Sequence, residues 1–455
     1  MRGRIFFTAA VLCATLVVRV EAQSKTDMAA LEGLVPTATL LLDSNANGKS
    51  ALGANFAITE GIHTGKITQP TLLPFTEQQQ LALQDTFMTT GNLAGFADGL
   101  GTTLGGAYVA RAHYSSRTDY TNLSAELSGL IAYAHTTTSL NANSAKFFFG
   151  NLTKDGTVGV SLQAKNILRA ADGVTDIYGK AYHLEAGEPG ADPYGNSRPF
   201  QTLPETMEIA GVDYFNISST NTLYNRGIMM DLTKSPSYPS GHTVFGYTAA
   251  VMLAVLVPDR YQQMIVRGAE YGNNRILMGA HYAMDVVAGR TLALYDMAKL
   301  LSNNQDYVGQ DFKKPGVPVI DDFRAEVITT REVVTRLLQD ACGKPVAQCA
   351  REDTGRFNNS AADEAFYAST QTYELPVVYP QNANKLEDVN ALAPEAASLL
   401  TVAFPNLSPE QANHILTQTE GPGGGFLDNG SAFGVYSRLN LYAAAGMAAE
   451  LNVQK

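Results

Sequence analysis

Apolar side chains recur along most of this chain at intervals of three and four residues, the spacing of one face of a helix. Leu81, Leu83 and Phe87 follow the polar stretch 77–80 in this way, with Thr76 placed to cap the start. The same period predicts helices over 123–139, 158–171, 240–257, 260–273, 281–301, 322–338, 394–402, 409–416 and 439–451. Runs that alternate with the period of a strand are scarce. The expectation is a large all-α protein built as a helical bundle. Residues 23–75 show turns at 45–48 and 70–74 and no clear element, and the glycine-rich 187–195 and 421–425 read as loops. A proline-containing stretch at 313–318 would separate the bundle from a C-terminal helical extension at about 305–455.

The first residues have another character. Arg2 and Arg4 precede an apolar run over 5–18, and Val20-Glu21-Ala22 offers small residues at the positions that a signal peptidase reads. This predicts a signal peptide over 1–22, a secreted protein, and one large helical domain over 23–455. A membrane anchor is the alternative, but the run is short for a bilayer span, as is the best later run, 249–257. Loss of Arg2, Arg4, Arg19 and Glu21 would take the formal charge from −11 to −13. So acidic a chain repels nucleic acid and anionic lipid surfaces, which makes both poor partners. Cys13 would leave with the signal, and Cys342 and Cys349 suit one small-loop disulfide in an exported chain, with two free thiols as the alternative. Six Asn-x-Ser/Thr sequons, at Asn122, Asn151, Asn216, Asn358, Asn406 and Asn429, would carry glycans in a eukaryotic host.

Three segments carry candidate chemistry. In Pro239-Ser240-Gly241-His242, a serine cap and a glycine open a strongly apolar helical stretch. Free N–H groups at such a start, with the serine hydroxyl, make an anion site, and His242 stands beside it. Arg275 is followed after five residues by His281, and His281 after three by Asp285. At that spacing on one helix, the carboxylate of Asp285 would accept the Nδ1–H of His281 and leave Nε2 free to attack. Arg275 can fork onto phosphate oxygens. Arg198-Pro199, at the end of the loop from Asp192 to Phe200, adds a second guanidinium.

The order Lys…Arg-Pro, then Pro-Ser-Gly-His, then Arg-x5-His-x3-Asp, with 32 residues between His242 and Arg275, resembles the type 2 phosphatidic acid phosphatase (PAP2) and vanadium haloperoxidase superfamily. Residues 61–113 and 438–445 look like the soluble secreted acid-phosphatase type. Two positions depart from the pattern. Asn274 stands where a serine usually precedes the arginine, and six residues before Arg198 lies Ala191, where a lysine is usual. The approach to that lysine resembles 175–182, followed by an insertion, which makes Lys180 the expected counterpart and Lys165 the fallback.

The resemblance implies a phosphatase acting on small phosphorylated substrates through a phosphohistidine, with no metal and no cofactor. Lys180, Arg198 and Arg275 would neutralise the phosphoryl oxygens, and Ser240 with the Gly241 N–H would complete the cradle. His281 would attack phosphorus, Asp285 orient it, and His242 protonate the leaving oxygen and then activate water. Positioning and charge stabilisation are what phosphoryl transfer needs most. His63, His113, His135, His183 and His414 lack a motif and read as surface or satisfied core residues, His183 lying on the inserted loop. No His-Glu-x-x-His and no glycine loop followed by Lys-Ser/Thr competes. Two rival readings are a vanadium-dependent haloperoxidase using the same cradle, with vanadate as cofactor rather than inhibitor, and an inactive scaffold that keeps the fold.

Overall fold

The computed structural model describes residues 26–67, 71–87, 91–149, 166, 176–203, 206–221 and 231–453. They are mostly helical. The helices used below are α1 (Ala46–Thr64), α2 (Phe75–Gln84), α3 (Ala125–Phe149), α4 (Ile177–Ala181), α5 (Gly241–Leu256), α6 (Tyr261–Leu277), α7 (Ala283–Leu301), α8 (Phe323–Cys342) and α9 (Leu441–Val453). One antiparallel hairpin pairs β1 (Ala210–Val212) with β2 (Ser218–Thr220), Gly211 facing Ser219.

Helix α5 is the axis of the bundle. All its residues from His242 to Leu256 are buried. A helix apolar all round is stable only when enclosed, and α6, α7 and α3 pack against it. Helix α9 covers α6 from the carboxyl end of the chain, and α8 lies against α3 and α5. One hydrophobic cluster extends from Ala30 to Ala448. No helix among the described residues is long and apolar enough to cross a membrane.

Polar side chains fix the ends that matter. Ser240 caps α5, its Oγ accepting from the Thr243 amide at 3.0 Å. The start of α7 is capped from another helix: Thr59 and Asn55 of α1 accept from the Ala283 and Met284 amides at 3.1 and 3.0 Å. Cys342 and Cys349 are disulfide-bonded, the pairing expected.

Several elements differ from expectation. Helix α1 arises inside the segment that showed no element, because its glycines and asparagines blur the apolar period that packing supports. Helix α3 continues past residue 139 to Phe149. Asn141, a weak helix former, is held there by bonds from its Nδ2 to Asp296 at 2.9 Å and to Tyr307 at 3.1 Å. Helix α6 runs on to Leu277, so Arg275 sits in its last turn. Helix α7 begins at Ala283, so His281 lies before the helix and does not share a helical face with Asp285. The helix over 75–84 has Pro74, not Thr76, at its N-cap position, and no side chain caps it there. The stretch 394–402 breaks into a 3-10 turn and one α turn. The expected signal peptide, and all of 158–171 except residue 166, lie outside the described residues.

Candidate active site

Two short segments bring the chemistry to the amino end of α5. The first is the turn 235–240, which includes a cis Tyr238–Pro239 bond. The Ser240 amide donates to the Asp285 carbonyl at 3.1 Å, and the Ser237 amide to the Asn196 carbonyl at 2.8 Å. The second is the bend between α6 and α7. There the amides of Ala280 and His281 both donate to the Arg275 carbonyl, at 3.0 and 3.2 Å. One carbonyl at the end of α6 thus sets the position of His281 relative to Arg275.

His281 is fully buried. Its Nδ1 lies 3.2 Å from Asp285 Oδ2, and Ser237 Oγ is a further 3.4 Å contact. Asp285 Oδ2 also accepts from the Tyr282 amide at 2.9 Å and from the Ser237 hydroxyl. An acceptor-only carboxylate at Nδ1 fixes the tautomer, with the proton on Nδ1 and a lone pair on Nε2. That lone pair faces donors: Arg198 Nη1 is 3.1 Å away and His242 Nδ1 is 2.9 Å away. The two rings meet edge to face with centroids 5.0 Å apart.

Arg198 is held as a rigid fork. Its Nε donates to the Ser235 carbonyl at 2.8 Å, Nη1 to the Ala280 carbonyl at 2.9 Å, and Nη2 to Ser235 Oγ at 3.2 Å. Arg275 donates from Nη2 to the Ala82 carbonyl at 2.9 Å and lies over the Tyr271 ring at 4.9 Å, while its buried Nε has no hydrogen-bond partner. Ser240 Oγ accepts from both the amide and the hydroxyl of Thr243, which leaves its own O–H to donate.

The electrostatics follow from burial among cations. Burial first, then Arg275, Arg198 and Lys146, hold the His242 imidazole well below its ordinary range. Burial, Arg198, His242, Lys146 and Arg275 do the same to His281. Both rings are therefore neutral. Burial pushes the Asp285 carboxyl up to about 6, against the lowering effect of Ser237, the Tyr282 amide, Tyr178 and Arg198.

The structure thus brings together His242, His281, Asp285, Arg198, Arg275, Ser240 and Gly241. It does not bring in Lys180. That residue is exposed at the end of the five-residue α4. Lys165 lies outside the described residues. The lysine that reaches the cluster is Lys146 of α3, 7% exposed. A Cβ placed on Gly241 would come 3.2 Å from its Nζ, so the glycine is what lets the ammonium approach. The sequence hid it because the expected helix stopped at 139.

Asn274, at the position where a serine was expected, faces away from the histidines. Its Nδ2 donates to Asp85 Oδ2 at 2.8 Å, and it accepts from Gln78. Asp85 in turn holds Arg267 with contacts of 2.6 and 2.9 Å. Asp192, also missed, is fully buried beside Arg198 and Lys146 with one carboxylate oxygen unpartnered, and burial pushes it up to about 7. Of the other histidines, His63 is bonded at both nitrogens, to the Leu277 carbonyl at 2.7 Å and the Met207 amide at 2.8 Å. His113, His183 and His414 are exposed. His135 departs from expectation: it is buried against Phe245 at 4.5 Å with neither nitrogen bonded, and burial lowers it to about 3. Among the described residues no group of three His, Cys, Asp or Glu side chains gathers as a metal site would.

Comparison with known proteins points to the same segment. The PAP2 superfamily matches residues 192–301, which contain both histidines, both arginines and Asp285 but neither Lys146 nor Lys180. A non-specific acid phosphatase of Salmonella typhimurium is 44% identical over 69 residues, 15% of this chain and 28% of that protein. An acid phosphatase of Zymomonas mobilis is 45% identical over 69 residues, 26% of its length. A non-specific acid phosphatase of Providencia stuartii is 28% identical over 151 residues, 31% of this chain and 59% of that protein. The chain therefore spans between about a quarter and three fifths of the length of these relatives.

Proposed function

With residues 192–301 forming a segment of the PAP2 superfamily, we propose that this chain is an exported phosphatase that hydrolyses phosphate monoesters, without a metal, through a phosphohistidine. The observation that carries this reading is the state of His281. Its Nδ1 is bound to Asp285, and its Nε2 lone pair is directed at an arginine and a second histidine.

A phosphoryl group entering between the two imidazoles would replace their mutual hydrogen bond. Arg198, Arg275, Ser240 and the free amides at the start of α5 would take its oxygens. His281 Nε2 forms the bond to phosphorus as the bond to the ester oxygen breaks. His242 gives its proton to that leaving oxygen, so the alcohol departs neutral. The same imidazole, now a base, takes a proton from water as the water oxygen attacks phosphorus. The P–N bond then breaks, and inorganic phosphate leaves. In-line displacement requires the general acid opposite the nucleophile, so His242 must swing away from its 2.9 Å contact with His281. Neutral His281 is the competent nucleophile, and the surrounding cations maintain that state. Neutral His242 can donate a hydrogen bond but cannot serve as the general acid until an anion offsets those cations and lets it take up a second proton. The dianionic substrate does so, and in this way supplies the condition for its own protonation.

The test is hydrolysis of a chromogenic aryl phosphate at acidic pH in the presence of EDTA, with wild type and His281→Ala, and a vanadate titration. EDTA-resistant turnover that is lost in the variant and inhibited by vanadate is the expected result. Bromide oxidation with vanadate and peroxide in place of phosphate release would replace the reading by a haloperoxidase. Inactivity in both assays would leave a scaffold.

A further inference from the structure

Asn274 and Arg275 are neighbours in the last turn of α6, and both turn to the same helix, α2. Gln78 donates from Nε2 to Asn274 Oδ1, Asp85 Oδ2 accepts from Asn274 Nδ2 at 2.8 Å, and the Ala82 carbonyl accepts from Arg275 Nη2 at 2.9 Å. Residues 78, 82 and 85, the last at the C-cap, are spaced i, i+4 and i+7 and so lie along one stripe of α2. We propose that Asp85 is a positioning residue for Arg275: by holding Asn274 it fixes α6 against α2 and so aims the guanidinium at the phosphoryl group. The inference rests on the reading of Arg275 as a phosphate ligand and gives it a support from outside residues 192–301.

An arginine that binds an anion does so best when its long side chain is already held, because ordering it on binding costs rotamer entropy. The carbonyl that holds this one comes from the last turn of α2, where a helix leaves its carbonyls to donors from elsewhere. A backbone acceptor has no reach of its own, so a small slide of α2 along α6 would draw it off Arg275. The clasp on Asn274 opposes that slide. Its carboxamide carries an acceptor and two donors in one plane, so it can bond to Gln78 and Asp85 at once, with a longer reach than the serine usual at this position in the motif. Gln78, Asn274 and Asp85 are all buried, and a bond broken among them would leave a polar group without water.

The negative charge of Asp85 is what completes the clasp. Arg267, two turns before Asn274 on the same face of α6, donates from Nη2 to Asp85 Oδ1 at 2.6 Å and from Nη1 to Oδ2 at 2.9 Å. This bidentate pair fixes the plane of the carboxylate. Arg267 is fixed in turn by Asp98 at 2.8 Å, and Arg356 joins Asp98 to Glu270 with contacts of 2.5 and 2.7 Å. A carboxylate only accepts, so it can take two guanidinium nitrogens and the Asn274 amide together. An asparagine at residue 85 would turn one of those acceptors into a donor facing either Arg267 or Asn274.

The experiment is a double-mutant cycle on the binding of inorganic phosphate to the full chain, followed by phosphorus NMR. It compares wild type, Asp85→Asn, Arg275→Ala and the two substitutions together, each checked by thermal melting. Asp85→Asn should weaken phosphate about fivefold or more when Arg275 is present, the scale of one hydrogen bond, and by less than about twofold once Arg275 is gone. A merely structural role would lower the melting temperature and give the same loss in both backgrounds, which overturns the assignment. Unchanged affinity in a folded Asp85→Asn overturns it as well, and so does a wild-type chain that binds no phosphate. Asn274→Leu, which keeps the pair between Arg267 and Asp85, carries the same expectation if Asp85→Asn does not fold. The outcome is separable from that of the proposed activity. Ester hydrolysis with equal losses in both backgrounds would keep the activity and sink the positioning role. Phosphate binding that is coupled in the cycle, without hydrolysis, would do the reverse.

Discussion

In the proposed mechanism His281 would owe its reactivity to what holds its other nitrogen. The contact from Nδ1 to Asp285 Oδ2 keeps the proton on the side away from the cradle. An amide at residue 285 can present either a donor or an acceptor to Nδ1, and the tautomer is no longer dictated. Asp285→Asn should lower kcat by roughly 100-fold or more while phosphate affinity changes little, since Asp285 touches no phosphoryl oxygen in this scheme. Comparable loss of phosphate binding would mean that the carboxylate shapes the cradle itself. His242 gives a pH-dependent counterpart. Its imidazole is held neutral by burial and by Arg275, Arg198 and Lys146. A bound dianion offsets those cations and raises the pKa, so phosphate should bind with uptake of a proton, and affinity should fall as pH rises through the pKa of the complex. Calorimetry in two buffers of different ionisation enthalpy reads the proton directly. A buffer-independent enthalpy would contradict this assignment of His242.

Among elements, the decisive contact is between α7 and the turn that starts α5. Gly289 makes it possible: a Cβ there would lie 2.6 Å from the Ser240 carbonyl oxygen and 2.9 Å from Thr243 Cβ. Neither neighbour can move freely, because one is backbone and the other belongs to the enclosed α5. Gly289→Ala should therefore destabilise the fold by about 1–3 kcal/mol and reduce turnover by shifting Ser240 and His242 against His281. Chemical denaturation with parallel kinetics checks both effects, and an alanine variant with unchanged stability and rate would show that this packing is slack. The same contact shows where sequence pattern stops being informative. The motif spacing correctly paired His281 with Asp285, but it implied a shared helical face. In the structure His281 precedes the helix, and Asp285 reaches back to it from the first turn. Helix existence was legible in α5 and α7 because long stretches of them are apolar, and in α6 because its apolar residues keep to one face. The ends were not, because Asn55, Thr59 and Asn141 do their capping and bracing across long sequence separations. Lys146 was hidden for this reason: Asn141, Asn143 and Ser144, which lie on the way to it, are weak helix formers, and Asn141 is held by tertiary bonds.

At the scale of the whole molecule, the carboxyl-terminal region closes on a buried charge cluster remote from the catalytic motifs in sequence. Arg438 contacts Glu420 at 2.9 Å and Asp428 at 3.8 Å, while both carboxylate oxygens of the buried Glu387 have no hydrogen-bond partner. Three carboxylates thus share one guanidinium, and burial raises all three, pushing Glu420 up to about 7. A carboxyl whose folded pKa lies above its unfolded value favours the folded state while protonated. Its contribution is complete below the unfolded value near 4.3 and is lost as pH rises through about 7. The cluster therefore favours a fold that is firmer in mild acid than at alkaline pH. The buried neutral histidines act in the opposite sense below about 6.5, so the two together predict an optimum on the mildly acidic side of neutrality. Glu420→Gln removes the titrating group but keeps its shape and its hydrogen-bonding oxygen. Its melting temperature should match wild type near pH 4 and exceed it by roughly 1–3 °C at pH 8, where the wild-type carboxylate is ionised. Equal melting temperatures at both values would show that Arg438 already neutralises the cluster, and the pH dependence would then have to come from Asp192 and Asp285 at the site itself.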